Sequence, residues 1–239
     1  MNNADAEQSP GEVLLVDKPL GWTSFAVVKK MKWAAKIKKI GHAGTLDPLA
    51  TGLLICCTGK MTKQIETYQG AEKEYTGTFV LGKTTPSVDL ETAFDADYPT
   101  EHITPAVLEE ARQKLTGAID QTPPIFSAVK IDGQRAYELA RKGQDAEIKS
   151  KVITISEFEL DTSRFPEVGF RVVCSKGTYI RSLVRDFGTL CGSGAYLKSL
   201  RRTRIGAFRV EDAFSLEQFV EQHRPGSVLY EPRMPGISH

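Results

Sequence analysis

Apolar and polar residues that alternate with a period of two limit the fold of this chain most strongly. The alternation runs from Tyr75 to Leu81, and Phe170, Val172 and Cys174 repeat it later. This period places the apolar side chains on one face of a strand, which is typical of antiparallel sheets with one face packed on a core. We therefore expect half-buried antiparallel strands in both regions.

The other predicted elements do not follow the regular succession of a doubly wound parallel sheet. Strands are expected at Val13 to Asp17, Leu53 to Cys57 and Lys151 to Leu160, and helices at Gln134 to Lys142 and Ile180 to Leu190. A doubly wound sheet needs strands and helices in strict alternation. The order found here instead predicts an α+β fold with a mainly antiparallel sheet.

Three further helices are predicted from their start signals. Thr23 and Ser24 precede a helix that is expected to place Phe25, Val28 and Met31 on one face. The other start signals are Thr104 with Pro105, for a helix ended by Gly117, and the capping box of Ser215 with Gln218.

The length of 239 residues permits one large domain or two small ones. No internal repeat or linker is evident, so we expect a flexible tail over residues 1–10 and one continuous domain over residues 11–239. The longest wholly apolar stretch, Leu53 to Cys57, is too short to span a bilayer, and Met1 to Pro10 does not have the character of a signal sequence. A cytoplasmic protein is expected.

The cysteines and histidines do not form a metal-binding pattern. Cys56, Cys57, Cys174 and Cys191 lack a CxxC pair, and the histidines are scattered along the chain. Buried reduced thiols and the absence of any metal or cofactor are therefore expected.

Positive and negative charges are segregated along the chain, although the net charge is only +1. The stretch from Asp89 to Glu110 contains no lysine or arginine, whereas two basic clusters contain no acid. These clusters could bind a polyanion, although a lysine run on a helix is often only a solvated face. The clusters are Lys29, Lys30, Lys32, Lys36, Lys38 and Lys39, and then Arg201, Arg202 and Arg204.

The segment from Gly41 to Gly52 is predicted to be a glycine-rich loop that leads into an apolar strand. Its glycines allow a close approach to a ligand, and Pro48 favours an extended conformation of Asp47. The carboxylate of Asp47 could thus project into a cleft. On these grounds alone, an Asp-Pro pair is more often part of a turn, and the lone His42 is more often structural.

The whole segment, GHAGTLDPLATG, resembles the catalytic motif of the TruB family of tRNA pseudouridine synthases, whose nucleophilic aspartate corresponds to Asp47. The resemblance continues in family order over nearly the whole chain. The further matches are Asp17 to Ser24 (DKPLGWTS), Lys73 to Tyr75 (KEY), Gln121 to Lys130 (QTPPIFSAVK) with Gly133 and Tyr137, Cys174 to Ser182 (CSKGTYIRS), and Leu197 to Gly206 (LKSLRRTRIG).

This resemblance implies a role for each matched residue. It implies catalysis by Asp47, Tyr75 and Arg181, with Tyr75 against the target base and Arg181 as the cation that partners the carboxylate. The residues implied to contact the substrate are His42, Tyr179, Leu200 and Lys18. The two basic clusters are expected to contact phosphates.

The family further implies a pseudouridine synthase fold, with a mixed, mainly antiparallel sheet flanked by helices. The implied substrate is uridine 55 in the T-loop of tRNA, with help to tRNA folding as a second activity. Many bacterial relatives carry a C-terminal PUA domain, and we expect none here, which also argues against a guide-RNA enzyme with obligate protein partners. A monomer that acts alone is expected.

Two functions of other kinds stay open. One is a non-catalytic tRNA chaperone with the same fold, which the presence of both Asp47 and Arg181 argues against. The other is a glycosidic hydrolase, which usually needs a second paired acid, and the sequence offers no clear one near Asp47.

Overall fold

A computed structural model describes residues 10–126, 130–131, 134–135 and 148–223. The expected tail over residues 1–9, the residues Ser127, Gly133 and Tyr137, and most of the helix predicted from Gln134 to Lys142 lie outside the described residues. The chain forms two compact units. One comprises the residues up to Tyr75 together with those from Leu200 onward, and the other comprises Thr76–Ser199.

Fourteen strands and five α-helices are present in the described residues. The strands are β1 (Val13–Lys18), β2 (Ile40–Ala43), β3 (Ala50–Thr58), β4 (Lys73–Leu81), β5 (Lys83–Thr84), β6 (Ala96–Asp97), β7 (Gly117–Gln121), β8 (Lys130–Ile131), β9 (Gln134–Arg135), β10 (Lys151–Arg164), β11 (Glu167–Cys174), β12 (Ala195–Ile205), β13 (Phe208–Arg209) and β14 (Phe214–Ser215). The helices are α1 (Ser24–Ala34), α2 (Ile65–Gly70), α3 (Pro105–Lys114), α4 (Ile180–Leu190) and α5 (Leu216–Gln222), and 3-10 turns cover Gly59–Gln64 and Val210–Asp212.

In the first unit, the strand order is β14-β1-β3-β12, with β2 also paired to β3 and β13 to β12. β1 and β3 are antiparallel and pair Lys18 with Gly52. β3 and β12 are parallel and pair Ala50 with Leu200. These registers bring the end of β1 and the middle of β12 to the segment that begins β3.

Both faces of this sheet are covered by apolar side chains. On one face, α1 packs Val27, Val28 and Met31 into a core that α5 completes with Leu216 and Phe219. The opposite face carries a second cluster, formed by Val13, Leu15, Ala43, Leu53, Ile55, Cys57, Ile205 and Val210. Because β3 is buried on both faces, its sequence is a nearly continuous apolar run.

The helix α1 begins as predicted, but Phe25, which was expected on the same face as Val28 and Met31, is exposed. The hydroxyl of Thr23 accepts a hydrogen bond from the Ala26 N–H at 3.0 Å and caps the helix. Val28 and Met31 are buried as expected, whereas Phe25 is 72% exposed and Val27 lies in the core. The prediction for Phe25 is therefore wrong, because the core lies beside the Val27 edge of the helix.

The second unit contains the antiparallel strands β7, β10 and β11, with β10 in the middle. Phe187 of α4 packs against Phe79 and Phe158, with ring centroids 5.0 Å and 6.0 Å apart. The predicted helix from Ile180 to Leu190 is confirmed at both ends.

The predicted α+β fold with a mixed, mainly antiparallel sheet flanked by helices is confirmed, and three local predictions are corrected. Residues 41–43 belong to β2 and β3 begins at Ala50, so the loop covers only residues 44–49. Gln134–Arg135 is a strand and not the start of a helix, because it pairs with Lys130–Ile131. The helix that Thr104 caps ends at Lys114, before Gly117. All four cysteines are buried thiols.

Within the described ranges, no helix is long and apolar enough to cross a membrane.

Candidate active site

The loop of residues 44–49 carries Asp47 between β2 and β3, and hydrogen bonds hold its backbone from two directions. The Gly21 N–H donates to the Pro48 carbonyl at 2.9 Å. The buried Ser24 hydroxyl accepts from the Leu46 N–H at 2.9 Å and donates to the Leu46 carbonyl at 3.3 Å. The residues on either side of Asp47 are thus tied to the start of α1, while the Asp47 side chain stays partly accessible.

Lys18 lies beneath this loop with its side chain fully buried. Its ammonium donates to the carbonyls of Trp22 at 2.6 Å, Pro19 at 3.0 Å and Pro48 at 3.3 Å. Burial lowers the pKa of Lys18 to about 8, the negative charge of Asp47 opposes that shift, and the positive charge of Arg202 adds to it. Lys18 therefore braces the loop and lies within electrostatic range of the Asp47 carboxylate. Its predicted contact with substrate stays a prediction.

Arg202 supports the loop from β12. Arg202 as a whole is 1% exposed, and its guanidinium donates from Nε to the Leu53 carbonyl at 2.8 Å and from Nη2 to the Gly44 carbonyl at 3.1 Å. In the part of the chain that the structure describes, no carboxylate forms an ion pair with it. A buried cation that binds only carbonyl oxygens adds positive charge beneath the loop.

The neighbouring Gly52 has φ of 103°, and a Cβ there would lie 2.2 Å from the Arg202 carbonyl oxygen. Only glycine permits β12 to approach β3 this closely. The position of the Arg202 guanidinium under the loop thus depends on the glycine at 52.

His42 lies on β2, directly opposite Cys56 of β3. Burial and the positive charge of Arg202 lower the pKa of its imidazole from 6.5. Its Nδ1 is buried and has no hydrogen-bond partner among the described residues. Folded proteins rarely leave a buried nitrogen without a partner, and the predicted substrate contact of His42 stays a prediction.

Leu200 and Tyr75 are the other predicted site residues in the same unit. Leu200 is buried on β12, opposite Ala50 at the end of the loop, and its carbonyl accepts from the Thr51 hydroxyl at 3.4 Å. Tyr75 lies on β4 and is 8% exposed. The structure therefore brings Lys18, Leu200 and Arg202 to the Asp47 loop, and of these the sequence predicted Lys18 and Leu200 as substrate contacts.

Tyr179 and Arg181 lie in the second unit, at the N-terminus of α4. The Gln121 side chain accepts from the Tyr179 N–H at 2.8 Å and donates to the Tyr179 carbonyl at 3.1 Å. The Tyr179 ring has the Lys151 ammonium 4.9 Å from its centroid. These contacts hold the entry to α4 against the Gln121 end of β7.

Arg181 is buried in the first turn of α4. Its guanidinium donates to the Phe126 carbonyl at 2.8 Å and to the Ser87 carbonyl at 3.1 Å, and its Nε lies 3.9 Å from an Asp89 carboxylate oxygen. Several partners thus orient this cation, and its pairing with Asp47 stays a prediction.

The two basic clusters differ in their exposure. Of the lysines near α1, five are exposed and Lys30 is partly exposed. Arg201 pairs with Asp17, with N–O distances of 2.7 and 2.9 Å, and Arg204 pairs with Glu72 at 3.0 Å. Arg202 is buried, so the prediction that it contacts phosphate is wrong.

Within the described ranges, no group of three or more histidine, cysteine, aspartate or glutamate side chains could hold a metal ion.

Comparisons with known families cover most of the chain. Residues 32–180 match the TruB family pseudouridylate synthase N-terminal domain, and residues 181–227 match the tRNA pseudouridylate synthase B C-terminal domain.

Curated relatives are similar over most of their own lengths. A protein of Phocaeicola vulgatus named tRNA pseudouridine synthase B is 58% identical, over 88% of this chain and 92% of the relative. A protein of the same name from Flavobacterium johnsoniae is 55% identical, over 90% of this chain and 97% of the relative.

Solved structures share the fold. A chain of a Cbf5-Nop10-Gar1 complex is 31% identical over 88% of this chain, with a TM-score of 0.68. A chain of an H/ACA ribonucleoprotein bound to a substrate RNA containing 2′-deoxyuridine is 26% identical over 88% of this chain, with a TM-score of 0.66. The chain spans about half the length of these two, 54% and 53% respectively.

Proposed function

Because the chain belongs to the TruB family of pseudouridine synthases, we propose that it converts uridine 55 in the T-loop of tRNA into pseudouridine, with Asp47 as the catalytic carboxylate. The coarser activity follows from the family: the chain is a tRNA pseudouridine synthase, an isomerase that binds and modifies RNA. The observation that carries the assignment to Asp47 is its position on a partly accessible loop whose backbone is bonded at Leu46 and Pro48.

The reaction breaks the bond between C1′ and N1 of uridine and joins C1′ to C5 of the same base. Since no atoms or electrons are gained overall, a carboxylate and a closed pocket are sufficient chemistry. Asp47 attacks the ribose or the base, or stabilises positive charge at C1′, while the detached base rotates so that C5 faces C1′. In the last step C5 loses its proton, and N1 of the product carries one, so the atoms balance.

Positive charge beside the Asp47 carboxylate stabilises its negative charge within a pocket that excludes water. Two buried cations, Lys18 and Arg202, support this role from beneath the loop. Lys18 interacts electrostatically with Asp47, and the positive charge of Arg202 acts on Lys18 and His42. Arg181 is the proposed direct partner of the carboxylate. A guanidinium suits this task because it stays charged and can bind both carboxylate oxygens at once.

The target uridine must leave its stacked position in the RNA before it can reach Asp47, at a cost of a few kcal/mol that stacking on an aromatic ring offsets. Tyr75 is the proposed stacking platform, and its hydroxyl assists removal of the C5 proton. Leu200 and Tyr179 line the base pocket, His42 lies against the displaced bases, and Lys18 holds the loop that receives them.

Helping tRNA to fold is the proposed second activity, because displacing the target base already requires binding that competes with RNA structure. The chain is proposed to act in the cytoplasm as a monomer, without a guide RNA or obligate protein partner. The support is that relatives at 54–58% identity are named tRNA pseudouridine synthase B, whereas the chains from the Cbf5-Nop10-Gar1 complex and the H/ACA ribonucleoprotein are 26–31% identical.

The function is tested with an unmodified T-arm stem-loop, tritiated at C5 of its uridines, by measuring tritium release and mapping pseudouridine at single-base resolution. Wild-type protein is expected to modify the single T-loop uridine, and Asp47→Asn to give no product. The control Asp120→Asn makes the same change at an exposed position on β7 and is expected to act as wild type.

Other results would redirect the assignment. Product at a different uridine would refute the choice of position 55. RNA binding without product from wild type would favour the non-catalytic chaperone. Product from Asp47→Asn at the wild-type rate would mean that another residue carries the reaction.

A further inference from the structure

The outer face of α1 and the segment that follows the helix are strongly basic and without acidic residues. From Lys18 to Leu46 the sequence contains no aspartate or glutamate, and six lysines lie between Lys29 and Lys39. No ion pair joins these six lysines to a carboxylate in the part of the chain that the structure describes. Their charge is therefore available to an anionic partner.

Two large aromatic side chains lie on the same face. Phe25 is 72% exposed and Trp33 is 74% exposed, while Val27, Val28 and Met31 occupy the buried side of the helix. Phe25, Lys29 and Trp33 are spaced by four residues and so follow one stripe of the helix, with Phe25 and Trp33 about 12 Å apart along its axis. Large exposed aromatic side chains in one stripe mark an interaction surface.

The chemistry of this stripe favours RNA over a protein. The Lys30 ammonium lies 5.2 Å from the centroid of the Trp33 ring, so cationic and aromatic groups alternate along the face. Lysines bind phosphates without reading sequence, whereas exposed aromatic rings stack on unpaired bases.

The stripe begins beside the Asp47 loop. Gly21 and Trp22, which precede α1, are bonded to that loop and to Lys18, since the Gly21 N–H donates to Pro48 and the Lys18 ammonium donates to the Trp22 carbonyl. Leu20 and Trp22 are themselves exposed, by 65% and 37%. The 11 residues of α1 then extend for about 16 Å away from the loop. An RNA whose uridine is at Asp47 can therefore continue along this helix.

We propose that the outer face of α1, formed by Phe25, Lys29 and Trp33 with the neighbouring lysines, binds tRNA nucleotides outside the T-arm stem-loop. The lysines contact phosphates, and the two rings stack on unpaired bases. The proposal rests on the proposed function, because it takes the RNA bound at Asp47 to be tRNA. Complete tRNA then gains contacts that the isolated stem-loop lacks.

The first experiment compares binding of unmodified full-length tRNA and of the T-arm stem-loop to wild type and to the double variant Phe25→Ser/Trp33→Ser. The double variant is expected to bind full-length tRNA about 10-fold more weakly or worse, since stacking on each ring is lost. Its turnover of the stem-loop is expected to stay within about twofold of wild type, because the stripe lies outside the site that the stem-loop fills.

A matched control is available in Phe94, which is 49% exposed and has the Lys83 ammonium 5.3 Å from its ring centroid. Phe94 lies in the acidic stretch from Asp89 to Glu110, and Lys83, which precedes that stretch, is paired with Asp97. Phe94→Ser removes an exposed ring of the same kind from a surface that should repel RNA, so its tRNA affinity is expected to equal that of wild type.

The second experiment uses the fact that Trp22 and Trp33 are the two tryptophans of the chain. Trp22→Phe leaves Trp33 as the sole tryptophan, whose fluorescence is expected to be quenched by full-length tRNA and not by the stem-loop. In parallel, Lys29→Gln/Lys32→Gln is expected to reduce the salt dependence of full-length tRNA binding by about 2 in slope.

Distinct results overturn this proposal and the proposed function. If the aromatic double variant bound full-length tRNA like wild type, or if Phe94→Ser weakened binding equally, the proposal would be wrong. A wild-type protein that sediments as a dimer while the double variant sediments as a monomer would assign the face to a second copy and also overturn it. Failure of the proposed function would appear separately, as absence of pseudouridine from wild type with the stem-loop.

Discussion

Replacing Arg202 by methionine tests whether the support beneath the Asp47 loop matters for folding and for catalysis. Arg202 donates two hydrogen bonds from a buried guanidinium, to Leu53 and Gly44. At about 1.5–3 kcal/mol for each charged donor, their loss removes about 3–6 kcal/mol. Methionine also removes the cost of burying a cation, which offsets part of this loss, so the free energy of unfolding is expected to fall by about 2–4 kcal/mol.

The effect on catalysis should exceed the effect on RNA binding. Gly44 lies three residues before Asp47, and its released carbonyl lets the loop shift relative to the base pocket. A displacement of about 1 Å can slow a reaction about 100-fold, so the single-turnover rate at saturating stem-loop is expected to fall by about that factor. Arg202→Lys keeps the charge but presents a single nitrogen, and an intermediate rate is expected.

The measurements are urea unfolding followed by circular dichroism, single-turnover pseudouridine formation, and the Kd of the stem-loop. The control is Arg112→Met in the second unit, because Arg112 also donates to a backbone carbonyl, that of Phe158 at 3.0 Å. It is expected to lose stability without a change in rate. A folded Arg202→Met that reacts at the wild-type rate would refute the reasoning, as would a rate that falls only with the fraction of unfolded protein.

Three further predictions concern the predicted site residues. Tyr75→Phe is expected to retain RNA affinity but to form product at least about tenfold more slowly, because it loses the hydroxyl that assists proton removal; a wild-type single-turnover rate would eliminate that role and leave the stacking role. Arg181→Lys is expected to lose most of the activity at saturating RNA, because an ammonium cannot bind both carboxylate oxygens in a plane; near-normal turnover would contradict the pairing with Asp47. Burial and the positive charge of Arg202 hold the pKa of His42 in the folded protein below its ordinary value of 6.5. As pH falls through 6.5, His42 binds a proton in the unfolded chain while it stays neutral in the folded chain, and this favours unfolding. Wild type should therefore lose stability relative to His42→Asn as pH falls through 6.5, and an unchanged difference in urea unfolding between the two proteins would contradict this.

Local signals predicted much of the fold because they act over a few residues. The capping residues Thr23 and Ser215 mark real helix starts, and the alternation from Tyr75 to Leu81 corresponds to β4. Phe25 shows where such signals fail. Its spacing from Val28 fits a buried face, but the core lies toward Val27, and an amphipathic pattern cannot choose between adjacent edges of a helix.

The position of Arg202 could not be predicted in this way, because it depends on strand pairing across the sequence. Leu200 and Arg202 lie on the same face of β12 and are both buried. Arg201 lies on the opposite face and pairs with Asp17 at the surface. The general cost of burying arginine argues for exposure at all three arginines of the cluster. That expectation fails only because β12 pairs with β3, about 150 residues earlier, and so brings the carbonyls of Leu53 and Gly44 to the guanidinium.

Gly52 is the sequence signal of this pairing, because any Cβ at position 52 would collide with the backbone of Arg202. A glycine in a strand indicates that another backbone approaches closely, but it does not show which segment of the chain that backbone belongs to. The proposed catalytic residue can therefore be found from a local motif, whereas the residue that supports its loop becomes visible only when the topology is known. A loop that depends on such a distant contact should lose activity before the protein loses its fold, which is the separation of rate from stability that Arg202→Met is expected to show.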